Sequence, residues 1–304
     1  MSFKLAKLEL TYKTLDNIKL PLFSGSTFRG VFGHSLKKLS CISLNDNCSN
    51  CPLSLECIYT NIFESRYTKN NYKSFRGLNN PPTPFIIRPT TELKPNINEN
   101  NNFKLELIVF GEFTNWIHYF LKALQNMGNN GAGKGNGRFL LIKVINKYTN
   151  QIIYNGIQYL FHDFTKKISF SMNPINKLNV NILSPIRIIK KNKMINSFTP
   201  KIFFNEFSRR FKTINHYYGS NDLTFNYSDL LKETELITMK NRTNIKKISR
   251  YSNRQHKHVP ISGIVGNLEF NNLGPVTYNL LKAVEDIHIG KGTSYGLGQI
   301  EIRN

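Results

Sequence analysis

Twice in this chain a helix-patterned segment runs into a loop rich in glycine and lysine, and a strand-patterned segment follows at once. The first instance is residues 112–127, then Gly128-x2-Gly131-x-Gly133-Lys134-Gly135-x-Gly137-Arg138, then residues 139–145. The second is residues 273–284, then Gly290-Lys291-Gly292-Thr293-Ser294-Tyr295-Gly296-Leu297-Gly298, then Ile300 and Ile302 at alternating spacing. Apolar residues recurring at helical spacing mark the helices, and alternation marks the strands. Each half reads strand, helix, strands, helix, glycine loop, strand. That order is a β-α-β-β-α-β unit written twice. The expected fold class is therefore α+β, with two tandem ferredoxin-like (RRM-like) domains at 1–155 and 156–304 and a soft junction between 150 and 175. A chain of 304 residues has room for two such domains.

The second glycine loop has the spacing G-x-G-x-x-x-G-x-G, which is neither a Walker A loop nor a dinucleotide fingerprint. Glycine allows positive φ and close approach of a ligand to the main chain, and exposed amides in such a loop suit phosphate. A tight glycine-rich β-turn is the plainer reading of the same residues. Charge points to a polyanion. Lys and Arg number 41 against 19 Asp and Glu, a net charge of +22. Aromatic residues make up 12% of the chain, which suits RNA better than a membrane surface because unstacked bases need π-faces. A basic stretch, Lys246-Lys247-Ile248-Ser249-Arg250-Tyr251-Ser252-Asn253-Arg254-Gln255-His256-Lys257-His258, carries the cations and hydroxyls that phosphate contacts use; a solvated loop is the alternative. No apolar run is long enough for a transmembrane helix, and the N-terminus reads as a strand, so a cytoplasmic protein with no membrane partner is expected.

The first helix is read from Phe28-Arg29-Gly30-Val31-Phe32-Gly33-His34-Ser35-Leu36-Lys37-Lys38-Leu39, with Phe28, Val31, Phe32, Ser35, Leu36 and Leu39 on one face. Gly30 and Gly33 cost helix propensity, and close approach to a sheet or a ligand is the compensation expected. Cys41, Cys48, Cys51 and Cys57 follow, one pair as C-x-x-C. Four clustered cysteines in a cytoplasmic chain predict a metal-binding insert. The spacing resembles the iron–sulfur loop of the endonuclease III class of DNA glycosylases, so a [4Fe–4S] cluster is favoured, with Zn2+ the alternative on the same thiolates. No helix-hairpin-helix pattern surrounds it, which argues against a repair enzyme. In 112–127, His118 is expected to be a partly buried structural residue.

Three segments together resemble the RAMP superfamily of CRISPR systems, and within it the branch of endoribonucleases that process precursor RNA. They are Phe28 to His34 with the cysteine insert after it, Arg250 to Gln255 leading to Gly263-Ile264-Val265-Gly266, and His288 through Gly298. The resemblance implies one metal-independent cut per CRISPR repeat. The ribose 2′-OH attacks the adjacent phosphorus and leaves a 2′,3′-cyclic phosphate and a 5′-hydroxyl. Such chemistry needs a base, an acid and cations around the phosphorane. On this resemblance His34 is the general base, Lys37 or Lys38 stabilises charge, and His256 and His258 are the alternates. Arg29, Lys134, Arg138, Arg250, Ser252, Arg254, Gln255, Gly290, Lys291, Gly292, Gly296 and Gly298 are the RNA-binding candidates. The expected partners are repeat RNA (precursor and processed) and a CRISPR effector complex. The competing reading is a non-catalytic RAMP subunit that holds the guide RNA in such a complex.

Overall fold

The computed structural model describes residues 3–43, 47–64, 81–160, 163–168, 175–219, 224–252 and 256–303. They form two compact units: Lys4–Lys167, and Ile168–Asn304 with the first three residues.

The first unit opens on β1 (Lys4–Thr14), then β2 (Ile18–Lys19), α1 (Gly25–Ser40), β3 (Phe85–Pro89), β4 (Asn96–Ile97), β5 (Asn102–Phe110), α2 (Ile117–Asn130), β6 (Phe139–Asn146), β7 (Ile152–Tyr154) and β8 (Thr165–Lys167). The main sheet runs β3-β5-β1-β6-β7, all antiparallel. Counting only the four principal strands, the order is fourth, first, third, second, as a ferredoxin-like unit requires. On β1 the alternation puts Leu8, Leu10 and Tyr12 in the core, where the Tyr12 hydroxyl donates to the Leu124 carbonyl of α2. Phe28 and Phe32 of α1 lie one turn apart and pack with Phe103, Phe139, Phe85 and Phe120. β8 pairs with Lys4–Ala6 of β1, so residues 156–167, past the boundary expected at 155, belong to this unit.

The second unit carries β9 (Ile175–Ile186), β10 (Ile189–Lys190), β11 (Lys193–Met194), α3 (Pro200–Tyr218), α4 (Tyr227–Leu236), β12 (Thr238–Lys246), β13 (Ser249–Ser252), β14 (Lys257–Pro260), β15 (Gly263–Leu273), α5 (Pro275–Ile287) and β16 (Ile300–Arg303). Its sheet runs β12-β15-β9-β16, again fourth, first, third, second when read from β16. Helix ends are closed by side chains. Thr199 accepts from the Ile202 amide ahead of Pro200 in α3. Glu233 of α4 accepts from the Val276 and Thr277 amides at the start of α5, which satisfies donors that a helix N-terminus leaves open. The expected tandem ferredoxin-like fold is the one found. The basic stretch is not a plain loop, since β13 and β14 pair as a hairpin. α4 was not anticipated.

Candidate functional site

In the first unit the candidates are sorted by helical geometry. α1 turns Arg29, Gly33 and Lys37, spaced by four, toward the cysteine insert. The Arg29 guanidinium lies 4.1 Å from the centre of the Phe63 ring, and a Cβ on Gly33 would collide with that same ring. Arg29 is thereby engaged within the unit. The next stripe, Gly30, His34 and Lys38, is different. His34 and Lys38 are exposed, and neither has a hydrogen-bond or ion-pair partner among the described residues. Lys38, one turn from His34, shares its stripe; Lys37 does not. His118 is exposed rather than partly buried, because Ile117, Phe120, Leu121 and Leu124 take the inner face of α2.

The four cysteines are free and half-buried. Burial pushes the Cys48 thiol up, Cys41, Cys57 and Glu64 add to the rise, and the nearby Lys37 ammonium opposes it. The donor set, four soft thiols, fits zinc or an iron–sulfur cluster, and Cys41 and Cys57 each lie within electrostatic reach of Cys48. Among the described residues no three His, Cys, Asp or Glu side chains converge as metal ligands. Tyr59 stacks on Phe63, and burial pushes its hydroxyl up to about 12.

The loop after α2 is tied to its own unit. The Lys134 amide donates to the Lys19 carbonyl at 2.8 Å. Arg138 pairs with Asp16 at 2.9 Å, so its charge is engaged, while Lys134 is exposed.

In the second unit the glycine loop is built by positive φ at Gly290 (88°), Gly292 (82°), Gly296 (97°) and Gly298 (75°). A side chain at Gly298 would strike the Ile289 carbonyl, and one at Gly290 the Arg187 carbonyl. Several amides point back into the fold: Ile289 to the Gly298 carbonyl, Lys291 to Arg187, and Gly298 to Pro185. The amides of Gly290, Gly292, Thr293 and Ser294 have no acceptor among the described residues. Three of these are successive, the arrangement that makes an anion-binding concavity. Lys291 is exposed beside them.

Arg210 of α3 fixes this loop. Its Nε donates to the carbonyls of Ile287 (3.2 Å) and His288 (3.1 Å), and its Nη2 to Ile287 (2.9 Å) and the Thr293 hydroxyl (3.2 Å). A cation at the C-terminus of α5 also suits the helix dipole. Burial pulls the Arg210 guanidinium down to about 10, which leaves it cationic at neutral pH. The only sequence signal for Arg210 was its place beside the apolar face of α3. Buried His288 donates from Nδ1 to the Leu297 carbonyl, 3.1 Å away.

The β13–β14 hairpin meets the glycine loop. The Arg250 guanidinium lies 5.4 Å from the centre of the Tyr295 ring, and its Nε has no hydrogen-bond partner among the described residues. Tyr251 is half exposed, and His258 faces it edge-on across the hairpin at 5.5 Å. His256 is exposed at the turn. Ser252 ends β13; Arg254 and Gln255 lie outside the described residues.

Two ferredoxin-like units, with a free imidazole on one and an amide-lined basic loop on the other, define a tandem-ferredoxin protein suited to a polyanion. Residues 180–300 match the family model described as the CRISPR-associated endoribonuclease Cas6, and residues 3–165 match a model described as an N-terminal domain. Residues 180–300, within the second unit, thus carry the match to the Cas6 family of CRISPR-associated endoribonucleases. A curated relative from Archaeoglobus fulgidus, described as an uncharacterized protein, is 25% identical over 157 residues, 51% of this chain and 52% of the relative. The chain thus spans about half the length of the curated relative it matches. Among solved structures, Thermus thermophilus Cas6 is similar at TM-score 0.56 and 12% identity, with 100% of both chains covered. A Cas6 product complex reaches 0.59 at 13%, covering 98% of this chain and 100% of the other. A partial Cas6-RT-Cas1–Cas2 complex reaches 0.60 at 12%, covering 99% of this chain and 46% of the other. At these identities the likeness is one of fold.

Proposed function

We propose that this protein cuts CRISPR repeat RNA once per repeat, by attack of the ribose 2′-OH on the adjacent phosphorus. His34 takes the 2′-OH proton, the bond from phosphorus to the 5′-oxygen breaks, and that oxygen leaves with a proton drawn from water. The products are a 2′,3′-cyclic phosphate and a 5′-hydroxyl. An imidazole suits the role of base near neutral pH. Lys38, on the same stripe, stabilises the negative charge that develops on the phosphorane. A base and a cation supplied by side chains leave no step that needs a metal ion. The observation that carries this reading is the exposed imidazole of His34, without a partner among the described residues, on the first helix of a chain whose second unit matches the Cas6 model.

RNA binding is assigned to the second unit. The amides of Gly290 and Gly292–Ser294, the Lys291 ammonium and the Arg250 guanidinium are the phosphate donors of this reading. Repeat RNA is the partner, and the complexes in which related Cas6 proteins sit with Cas1 and Cas2 support a place for this chain in a larger CRISPR assembly. The four cysteines are assigned to a structural metal, a [4Fe–4S] cluster or Zn2+, that would brace the segment after α1 and take no part in the cut.

The test is cleavage of the cognate repeat RNA in EDTA, beside the same RNA with a 2′-deoxy sugar at the scission site. A single cut in the ribo form and none in the deoxy form is expected. A cut that appears only with added Mg2+ would contradict the metal-free step. Tight binding without any cut would favour the subunit that only holds guide RNA.

A further inference from the structure

The two glycines of α1 are not equivalent, and the difference locates the RNA strand. Gly33 has a reason within the fold, because a side chain there would enter the Phe63 ring. Gly30 has none among the described residues: a Cβ built on it meets none of their atoms within 4 Å. It sits well inside the helix, on ordinary helical backbone, where alanine is the better residue. A half-buried helical position that keeps glycine against propensity, with open space around it among the described residues, has room for something from outside the fold. Its neighbours along the helix identify what. His34 is one turn on and Lys38 two turns on, both exposed and both without a partner among the described residues. A rise of 1.5 Å per residue sets Gly30 and Lys38 about 12 Å apart along one stripe. The stripe therefore offers bare backbone, an imidazole and an ammonium in a row.

We propose that Gly30 is a positioning residue: its missing side chain lets the ribose-phosphate backbone of the cut strand lie directly against α1, which brings the 2′-OH within reach of His34. This inference rests on the proposed function, since it takes His34 to be the base. It adds a contact surface on the first unit for the sugar-phosphate backbone itself, apart from the amide-lined loop of the second.

The experiment compares wild type, Gly30→Ala and Gly30→Leu in three measurements: melting temperature, affinity for the 2′-deoxy repeat RNA, and single-turnover cleavage of the ribo form. Alanine should raise Tm by about 2–4 °C, because it favours the helix. The same variant should lose at least about tenfold in deoxy-RNA affinity or in cleavage rate, and leucine should lose more; about tenfold per 1.4 kcal/mol sets the scale. A gain in stability with a loss in activity is a pairing that a purely structural role does not produce. Alanine that binds and cuts like wild type overturns the inference while leaving the nuclease reading intact. A fall in Tm overturns it too, by making Gly30 a requirement of the fold. If wild type binds the deoxy RNA but never cuts the ribo form, the nuclease reading fails, and the binding comparison alone decides whether the strand lies on Gly30.

Discussion

The loops at 131–138 and 290–298 follow the same helix of the same fold, and they spend their glycines differently. In the first, amides bound to the fold alternate with unbound ones: Ala132, Lys134, Asn136 and Arg138 donate internally, to the Gly137, Lys19 and Gly133 carbonyls and the Asp16 carboxylate. No two successive amides of this loop are left without an internal acceptor among the described residues. In the second, Gly292, Thr293 and Ser294 run together without acceptors among the described residues, through a left-handed residue into a 3-10 turn. One loop is a clasp on its own unit, and the other is a cradle. A ferredoxin-like frame permits both, and the hydrogen bonds of the connecting loop decide which is made.

The comparison breaks first at stability. Gly298→Ala places a side chain at positive φ against the Ile289 carbonyl, and a loss on the order of 3 kcal/mol is expected in urea unfolding. Gly135→Ala, at φ 90° but with open space around it, should cost only roughly 1–2 kcal/mol. Equal losses would mean that the two loops are not built differently. Next comes RNA. Lys291→Ala should lower affinity for repeat RNA and reduce the slope of log K against log salt by about 0.7, one phosphate contact on a single strand. Lys134→Ala, beside a loop turned to its own unit, should leave that slope within error. The smallest effect is acid release of the clasp. Hydrogen bonds from Arg138 hold the Asp16 carboxyl below its ordinary 3.8. A depressed folded pKa gives stability that is present above 3.8 and lost as pH falls through the lower folded value. Hydrogen exchange at the Arg138 amide should therefore quicken below about pH 3.8, with the Ile289 amide, bound to a carbonyl, unaffected.

Much of this was legible in the residues. β1 and α2 carry their apolar residues at a strand or helix period, and β5 is apolar and buried without a break from Leu105 to Phe110 apart from Glu106, so all three are readable. The repeated order of elements then implies the doubled fold. α4 and β12 were silent for a physical reason. α4 buries only Leu230 and Thr234, and β12 is an edge strand with both faces largely exposed, so neither carries a hydrophobic period. The hairpin at 249–260 hid for the same cause. At the site, the stripe of α1 bearing His34 followed from helical spacing. That Phe63 would take the Arg29 face did not, because Phe63 lies after the cysteine insert, and nothing in α1 names its neighbour. Arg210 was also hidden, since a cation beside an apolar face reads the same whether it reaches solvent or a helix end.

The most direct test of the account is single-turnover cleavage of cognate repeat RNA in EDTA by wild type and His34→Ala, with deoxy-RNA binding measured alongside. The account predicts a rate loss of about 10²–10⁴, the usual contribution of a general base, with binding unchanged, because an exposed imidazole contributes nothing to the fold. Cleavage at the wild-type rate by His34→Ala would contradict it and move the base to the second unit, where His256 and His258 stand next.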